Sequence, residues 1–250
     1  MAKPCLVEIM SEWFGMFEKN IRMVSRFLAV VVIFLLADGF YLSQKGFVAG
    51  PNGIELVKSA HADSSMIRSI TPGSFNIETG NVLGDVNAPI TIYEFSSLGC
   101  THCSDFHLGV LPSLKRDFID AGKVKLVFAD FPIDKKSMQA AMLARCFSGD
   151  KYFDFLGKLF DKQATWGLSF KSEKLLIGYA KDEGMDEDTA RKCMKDDKVA
   201  SEILYIRQQA MEKLDIKATP SFLIRSAKGD ELITGVPSYS KISEILNKSL

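Results

Sequence analysis

The chain has 250 residues, 47% of them apolar, enough to bury one large core or two small ones. Its 31 basic residues are matched by 31 acidic ones, so there is no basic excess to neutralise phosphates, and nucleic acid is not an expected partner. Eighteen Phe and ten Met residues point to a large core with some soft apolar surface left outside it.

The first distinctive element is Phe27 to Ala37, FLAVVVIFLLA, an uncharged block preceded by Lys19, Arg22 and Arg26. Its 11 residues fall short of the roughly 20 that cross a bilayer as a helix but fit the apolar region of a secretory signal. Residues 1–42 are therefore expected to be a signal peptide or membrane anchor with a leading tail, a cleaved signal being preferred. Ala37 and Gly39 supply small residues for cleavage. The acidic Glu8, Glu12 and Glu18 are explained either by a true start at Met16 or Met23 or by a cytoplasmic tail on an anchored protein. Either export reading puts the rest of the chain in an oxidising compartment. Residues 43–73, rich in Gly, Ser, Pro and Asn without a sustained period, read as a linker, and a short strand is expected near Ser74 to Ile77.

Ile90 to Phe95 follows as a strand with Ile90, Ile92 and Glu94 on one face and Thr91, Tyr93 and Phe95 on the other. Both faces are largely apolar, which suits a central strand covered on two sides. The chain then turns through Ser96, Ser97 and Gly99 and delivers Cys100, Thr101, His102 and Cys103 to the start of a helix. The five cysteines lie at 5, 100, 103, 146 and 193, and a chance pair at spacing three is expected on the order of one time in ten, so the context must carry the case. That context is favourable. The unsatisfied N–H groups and positive dipole end of a helix start stabilise a thiolate at Cys100, and Cys103, one turn further in, is placed to close or open a disulfide with it. Glu94 is a carboxylate in an otherwise buried pattern. If buried it exchanges a proton with Cys103; if it reaches the strand end it is solvated.

The helix is expected to continue through Phe106, Val110 and Leu111, with Pro112 kinking or restarting it, and to end near Ala121-Gly122. Val124 to Phe128 reads as the next strand, closed by Asp130-Phe131-Pro132. Up to Leu214 the pattern is helical, with helices expected over Met138 to Phe147, Tyr152 to Phe160, Glu173 to Asp182, a short one after Asp186, and Val199 to Leu214, where Ile203, Ile206, Ala210 and Leu214 form one stripe. Thr219-Pro220 then precedes a strand over Ser221 to Ile224, a turn at Lys228-Gly229-Asp230, a returning strand over Glu231 to Thr234 and a closing helix over Ser240 to Lys248.

This order, α/β with C-x-x-C at a helix start and T-P before a terminal hairpin and helix, resembles the thioredoxin-like fold. The helical block inside it resembles the inserted all-helical domain of the DsbA-like thiol:disulfide oxidoreductases. Y-E-F-S-S-L-G-C-T-H-C is similar to the family's active-site segment, F-A-D-F-P-I-D followed by A-A-M-L-A-R-C to its entry into the insertion, and I-K-A-T-P-S-F-L-I to its cis-proline loop. The likeness covers roughly Ile77 to Leu250. It implies a thioredoxin-fold domain in two parts, 74–132 and 216–250, around an inserted helical domain at 133–215.

By this resemblance Cys100 is the nucleophile, Cys103 the resolving cysteine, His102 the residue that stabilises the Cys100 thiolate, Glu94 the buried acid and Pro220 the cis-proline facing the disulfide. Thr219 tunes substrate release. Thr101 departs from the best-known members, which carry Pro there. Cys146 and Cys193 match a second pair found in some relatives and are expected to be bonded, the alternative being two buried free thiols; Cys5 would be lost with a signal or stay cytoplasmic. The implied activity is a periplasmic disulfide donor, soluble after signal cleavage or anchored to the inner membrane, acting as a monomer on exported cysteine-containing proteins and re-oxidised by a DsbB-like membrane quinone reductase, with no cofactor. A reductase or isomerase of the same fold is the second reading, although residues 43–79 look too short for the dimerisation domain of a DsbC-like isomerase. A zinc module is the third; it needs two more ligands near Cys100 and Cys103, for which His107 is a candidate and His61 is remote.

Overall fold

In the computed structural model the residues described are 47–50, 53–56, 67–70, 75 and 81–250. The expected signal or anchor segment 1–42, with Cys5, lies outside them, as do His61 and all of the expected Ser74 to Ile77 strand except Phe75. Among the described residues no helix is long and apolar enough to cross a membrane.

Strands β1 (Phe47–Gly50) and β2 (Gly53–Leu56) pair antiparallel and form a unit of their own. The remaining described residues build one mixed sheet from β3 (Ile67–Ile70), β4 (Val82–Leu83), β5 (Ile90–Ser96), β6 (Val124–Asp130), β7 (Ser221–Ser226) and β8 (Gly229–Thr234), in the order β3-β8-β7-β5-β6-β4. Only the β5–β6 pairing among these is parallel. All seven residues of β5 are buried, the outcome of an apolar pattern on both of its faces. The stretch read as linker thus holds three strands. β3 pairs with the outer edge of β8, where an uncovered row of backbone donors and acceptors is satisfied by any extended segment brought to it, and Arg68 ties that edge to the Leu214 carbonyl. Composition does not reveal such pairing.

From Thr101 to Ile119 the chain stays helical with alternating pitch: α1 (Thr101–Asp105), a π segment (Phe106–Val110), α2 (Leu111–Leu114) and a second π segment (Lys115–Ile119). Pro112 sits in the first turn of α2, where its missing N–H is tolerated. The insertion comprises α3 (Lys135–Ala144), α4 (Asp150–Asp161), α5 (Gln163–Gly167), α6 (Ser172–Asp182), α7 (Glu187–Cys193) and α8 (Asp197–Leu214), and α9 (Tyr239–Ser249) closes the chain. α3 begins ahead of the expected Met138 because Asp134 caps it. The carboxylate accepts from the Ser137 N–H at 2.7 Å while the Ser137 hydroxyl accepts from the Asp134 N–H at 3.1 Å, a reciprocal capping box.

The sheet has a core on each face. On one, Ile90, Ile92, Phe128 and Phe222 meet Cys103, Phe106 and Leu114 of the redox helix and Ile242 and Leu246 of α9. This core runs unbroken into the insertion through Leu143, Phe155, Phe160 and Trp166, so the inserted helices share the sheet's core. On the other face Tyr93, Phe95 and Leu223 are covered by Phe75 and by Ile206, Ala210 and Leu214 of α8, which belong to the stripe expected from sequence.

Two further ties fix the insertion. Cys146 and Cys193 form a disulfide with Cα atoms 6.2 Å apart, joining the segment just past α3 to the end of α7 across 47 sequence positions. On the chain-entropy model such a loop closure contributes roughly 4 kcal/mol. Beside it, the Arg145 guanidinium donates to the Asp130 carboxylate at 2.6 Å, with the two side chains only 11% and 2% exposed.

Candidate active site

Between the fully buried end of β5 and the start of α1 the chain must lift Cys100 to the surface within four residues. The turn that does so is held by its own polar groups: the Gly99 N–H donates to the Ser97 hydroxyl at 3.2 Å and the Cys100 N–H to the Ser97 carbonyl at 3.0 Å. Gly99 sits where a side chain would be crowded. A Cβ there would stand 3.1 Å from Ser137 Cβ and 3.2 Å from Asp134 Oδ2, so the turn packs directly on the capped start of α3.

Cys100 is the N-cap residue of α1, in extended conformation, and no side-chain oxygen caps the helix. Its sulfur occupies the place a capping oxygen would take. The Cys100 thiol is lowered to about 5, first by the hydrogen bond from the Cys103 thiol, then by the Thr219 side chain and by the Cys103 and His102 backbone N–H groups, all against the opposing effect of partial burial. When protonated, Cys100 Sγ donates to the Thr219 carbonyl at 3.3 Å. Cys103 is the opposite case. It is wholly buried, and burial, its hydrogen bond to Cys100 and the negative charge there hold its thiol far above the ordinary range. The Ser96 side chain and the Ser97 N–H, the latter 3.5 Å from Cys103 Sγ, favour its anion more weakly. One sulfur is therefore a half-buried thiolate and the other a protonated thiol beneath it.

Glu94 lies on the sheet face that carries this helix, opposite Phe128 of β6 and Phe222 of β7 in register, and is fully buried. Burial pushes its carboxyl up to about 8; the nearby Ser96 side chain pulls it down only slightly. Neither carboxyl oxygen has a partner of good hydrogen-bond geometry among the described residues. Thr219-Pro220 is a cis peptide bond, and Thr219 reaches Cys100 as described. His102 contributes its backbone N–H to Cys100, while its imidazole is exposed and its Nδ1 lies 3.3 Å from Asp105 Oδ2. His107 is remote in character from a metal ligand: it is buried against Phe160, with ring centroids 4.7 Å apart, and burial lowers it to about 4. Among the described residues no three His, Cys, Asp or Glu side chains gather as a metal-holding set.

The structure thus brings Cys100, Cys103 and Thr219 into contact, follows Thr219 with the cis bond to Pro220, buries Glu94 on the central strand between Phe128 and Phe222, and bonds Cys146 to Cys193. The sequence offers Ser96 and Ser97 only as turn residues, not as partners of the Cys103 sulfur, and Gln163 gives no signal at all.

A family model described as Thioredoxin matches residues 76–248. Alpha-DsbA1 of Wolbachia pipientis is 31% identical in a superposition covering 70% of this chain and 92% of that one, with a TM-score of 0.64. Oxidised BdbD of Bacillus subtilis gives 28% identity over 72% of this chain and 96% of that one, with a TM-score of 0.62. A relative from Rickettsia prowazekii is 27% identical over 183 residues, and the chain spans only 65% of that relative's length. The chain belongs to the thioredoxin family and, within it, to the DsbA-like proteins.

Proposed function

We propose that this protein is a thiol:disulfide oxidoreductase that donates the Cys100–Cys103 disulfide to exported proteins in the periplasm. The observation that carries this reading is the placement of the two sulfurs, Cys100 half-buried at the start of α1 against the Thr219 carbonyl and Cys103 wholly buried one turn further in, a placement that favours the thiolate at the first and the thiol at the second. A substrate thiolate attacks Cys100 Sγ of the oxidised pair; the Cys100–Cys103 bond breaks, and the Cys103 thiolate leaves and takes up a proton, for which Glu94 is the donor. A second substrate thiolate attacks the substrate sulfur of the mixed disulfide and expels Cys100 as the thiolate. The substrate has then lost two electrons and gained a disulfide, and the protein is the dithiol.

A thiolate stabilised as Cys100 is favours the dithiol, and so makes the disulfide oxidising; DsbA is the general illustration of this effect. The backbone of Thr219 beside Pro220 holds an extended substrate strand by main-chain hydrogen bonds and so accepts many sequences. His102 supports the thiolate through its backbone. The donor is soluble after signal cleavage or anchored through residues 1–42, works as a monomer, and returns to the disulfide through a DsbB-like membrane quinone reductase. The oxidised protein is expected to convert a reduced two-cysteine peptide stoichiometrically to its disulfide and to reduce insulin poorly; rapid insulin reduction with little peptide oxidation would contradict the donor reading.

Glu94 gives this function a pH signature. Its folded carboxyl, at about 8, lies above its unfolded value of 4.5. The unfolded chain therefore loses this proton as pH rises from 4.5 while the folded chain keeps it, and stability falls across 4.5 to about 8. Glu94→Leu is expected to remove that loss, so that its gain in stability at pH 8 exceeds its gain at pH 4 by on the order of 3 kcal/mol. The same change should slow peptide oxidation. Urea unfolding at both pH values checks the first effect and stopped-flow oxidation the second.

A further inference from the structure

Gln163 is the first residue of α5, in the inserted block, yet its side chain reaches into the redox turn. It is 8% exposed, and its Nε2 donates to the Leu98 carbonyl at 2.7 Å and to the Cys100 carbonyl at 2.9 Å. Both protons of one amide are thus used on the two carbonyls that flank Gly99. The Cys100 carbonyl also accepts from the N–H groups of Cys103 at 3.1 Å and Ser104 at 3.2 Å, whereas Leu98 receives no backbone donor among the described residues. The Leu98 carbonyl, in a residue only 2% exposed, depends on Gln163.

We propose that Gln163 is a positioning residue of the redox centre: its amide clamps both sides of Gly99 and so fixes the angle at which the first helical N–H groups meet Cys100 Sγ. The physical basis is the geometry of the turn. The His102 and Cys103 N–H groups approach Cys100 only while the Cys100 peptide keeps its orientation, and that orientation is held by the carbonyl bonds of this one peptide. Donation to the two oxygens also draws their negative ends away from a neighbouring thiolate. The other side of the turn is wedged on α3 at Gly99, so Gln163 supplies the opposing restraint. The insertion would then set the chemistry of Cys100 through one side chain as well as enlarging the core. This inference rests on the exchange reaction proposed above, but its readout does not require turnover.

Gln163→Met keeps the length and buried volume of the side chain and removes both donors. Gln163→Glu offers at most one donor when neutral and a repelling charge when ionised. In the reduced protein, the thiolate absorbance of Cys100 followed against pH is expected to shift upward by about one pKa unit in Gln163→Met and upward in Gln163→Glu. The equilibrium constant with glutathione should move up to tenfold towards the less oxidising side, about 30 mV for a two-electron couple. Lys136→Met is the control. Lys136 Nζ donates to the Gly167 carbonyl at 2.7 Å and holds the same short helix without touching the turn, so its loss should leave the titration in place. An unshifted Cys100 titration in a folded Gln163→Met or Gln163→Glu protein would overturn the proposal, as would an equal shift in Lys136→Met. A wild-type protein that fails to oxidise dithiol peptides would instead sink the proposed function and leave the effect of Gln163 on the titration measurable.

Discussion

Cys103→Ala is expected to lower turnover in dithiol peptide oxidation by roughly a thousandfold and to leave Cys100, whose thiolate attacks a partner's disulfide and expels one of its sulfurs, joined to that partner in a mixed disulfide that Cys103 no longer resolves. The buried position of Cys103 explains why no other group can substitute. It is wholly shielded, it donates to Cys100, and its hydrogen-bond support comes from Ser96 and Ser97 at the end of the central strand. Once it is gone, a substrate captured by Cys100 is released only by its own second thiol or by an outside thiol. Cys100→Ala should remove both turnover and capture. Non-reducing electrophoresis of cells producing the two variants separates these outcomes: adducts with Cys103→Ala that vanish in the Cys100→Ala, Cys103→Ala double variant support the mechanism. Adducts that persist without Cys100 would contradict it.

The second large effect lies away from the sulfurs. Arg145→Met is expected to destabilise the protein by about 3–5 kcal/mol, because it leaves the Asp130 carboxylate buried without its cation. Asp130 ends β6, opposite Ser96 in register, and the following Phe131 N–H donates to the Ser96 carbonyl at 2.7 Å. The ion pair thus anchors the end of α3 to the strand ends on which the redox turn is built. Burial already raises the Asp130 carboxyl, with Arg145 opposing that rise, so in the variant Asp130 should take up a proton at still higher pH. The loss of stability should accordingly shrink on acidification. Adding Asp130→Asn to Arg145→Met should recover a large part of the loss, since the uncompensated charge is then absent. Denaturant unfolding of the single and double variants measures both terms, and a loss below about 1 kcal/mol in the single variant would show that the pair is dispensable.

These two predictions also mark what a reading of the sequence reaches. The strand from Ile90, the turn at Gly99 and the helix start at Cys100 are local, written in the period of two, in a small residue at a tight turn and in a C-x-x-C at the boundary. The helices of the insertion follow from their apolar stripes, as in α8. What is not legible depends on docking. β4 has two residues and carries no periodic signal, and β3 is a strand because β8 offers it an edge. α5 is five residues long, and Gln163 lies 63 positions from Cys100. Nothing in its neighbours tells that its amide reaches the redox turn. The role of His102 is only half legible for a similar reason, since every residue but proline lends a backbone N–H at that position, while the direction of its imidazole towards Asp105 is a matter of local packing.

Reduced Cys100 also changes the protein's stability with pH. Its folded value, about 5, lies below the ordinary 9.0, so the stabilisation it brings is complete above pH 9 and is lost as pH falls towards 5. Cys100 is partly exposed, so solvent screening reduces the size of this effect but not its sign. The oxidised protein lacks this dependence because its sulfurs do not titrate.

The most direct measurement is the thiolate absorbance of the reduced protein followed from pH 3 to pH 10, with Cys100→Ser as the blank. A single thiolate that forms with a midpoint near pH 5, with Cys103 silent throughout, is the expected result. A midpoint at or above about 8.5, the value of an unperturbed cysteine, would contradict the claim that this fold exists to hold one sulfur as an anion.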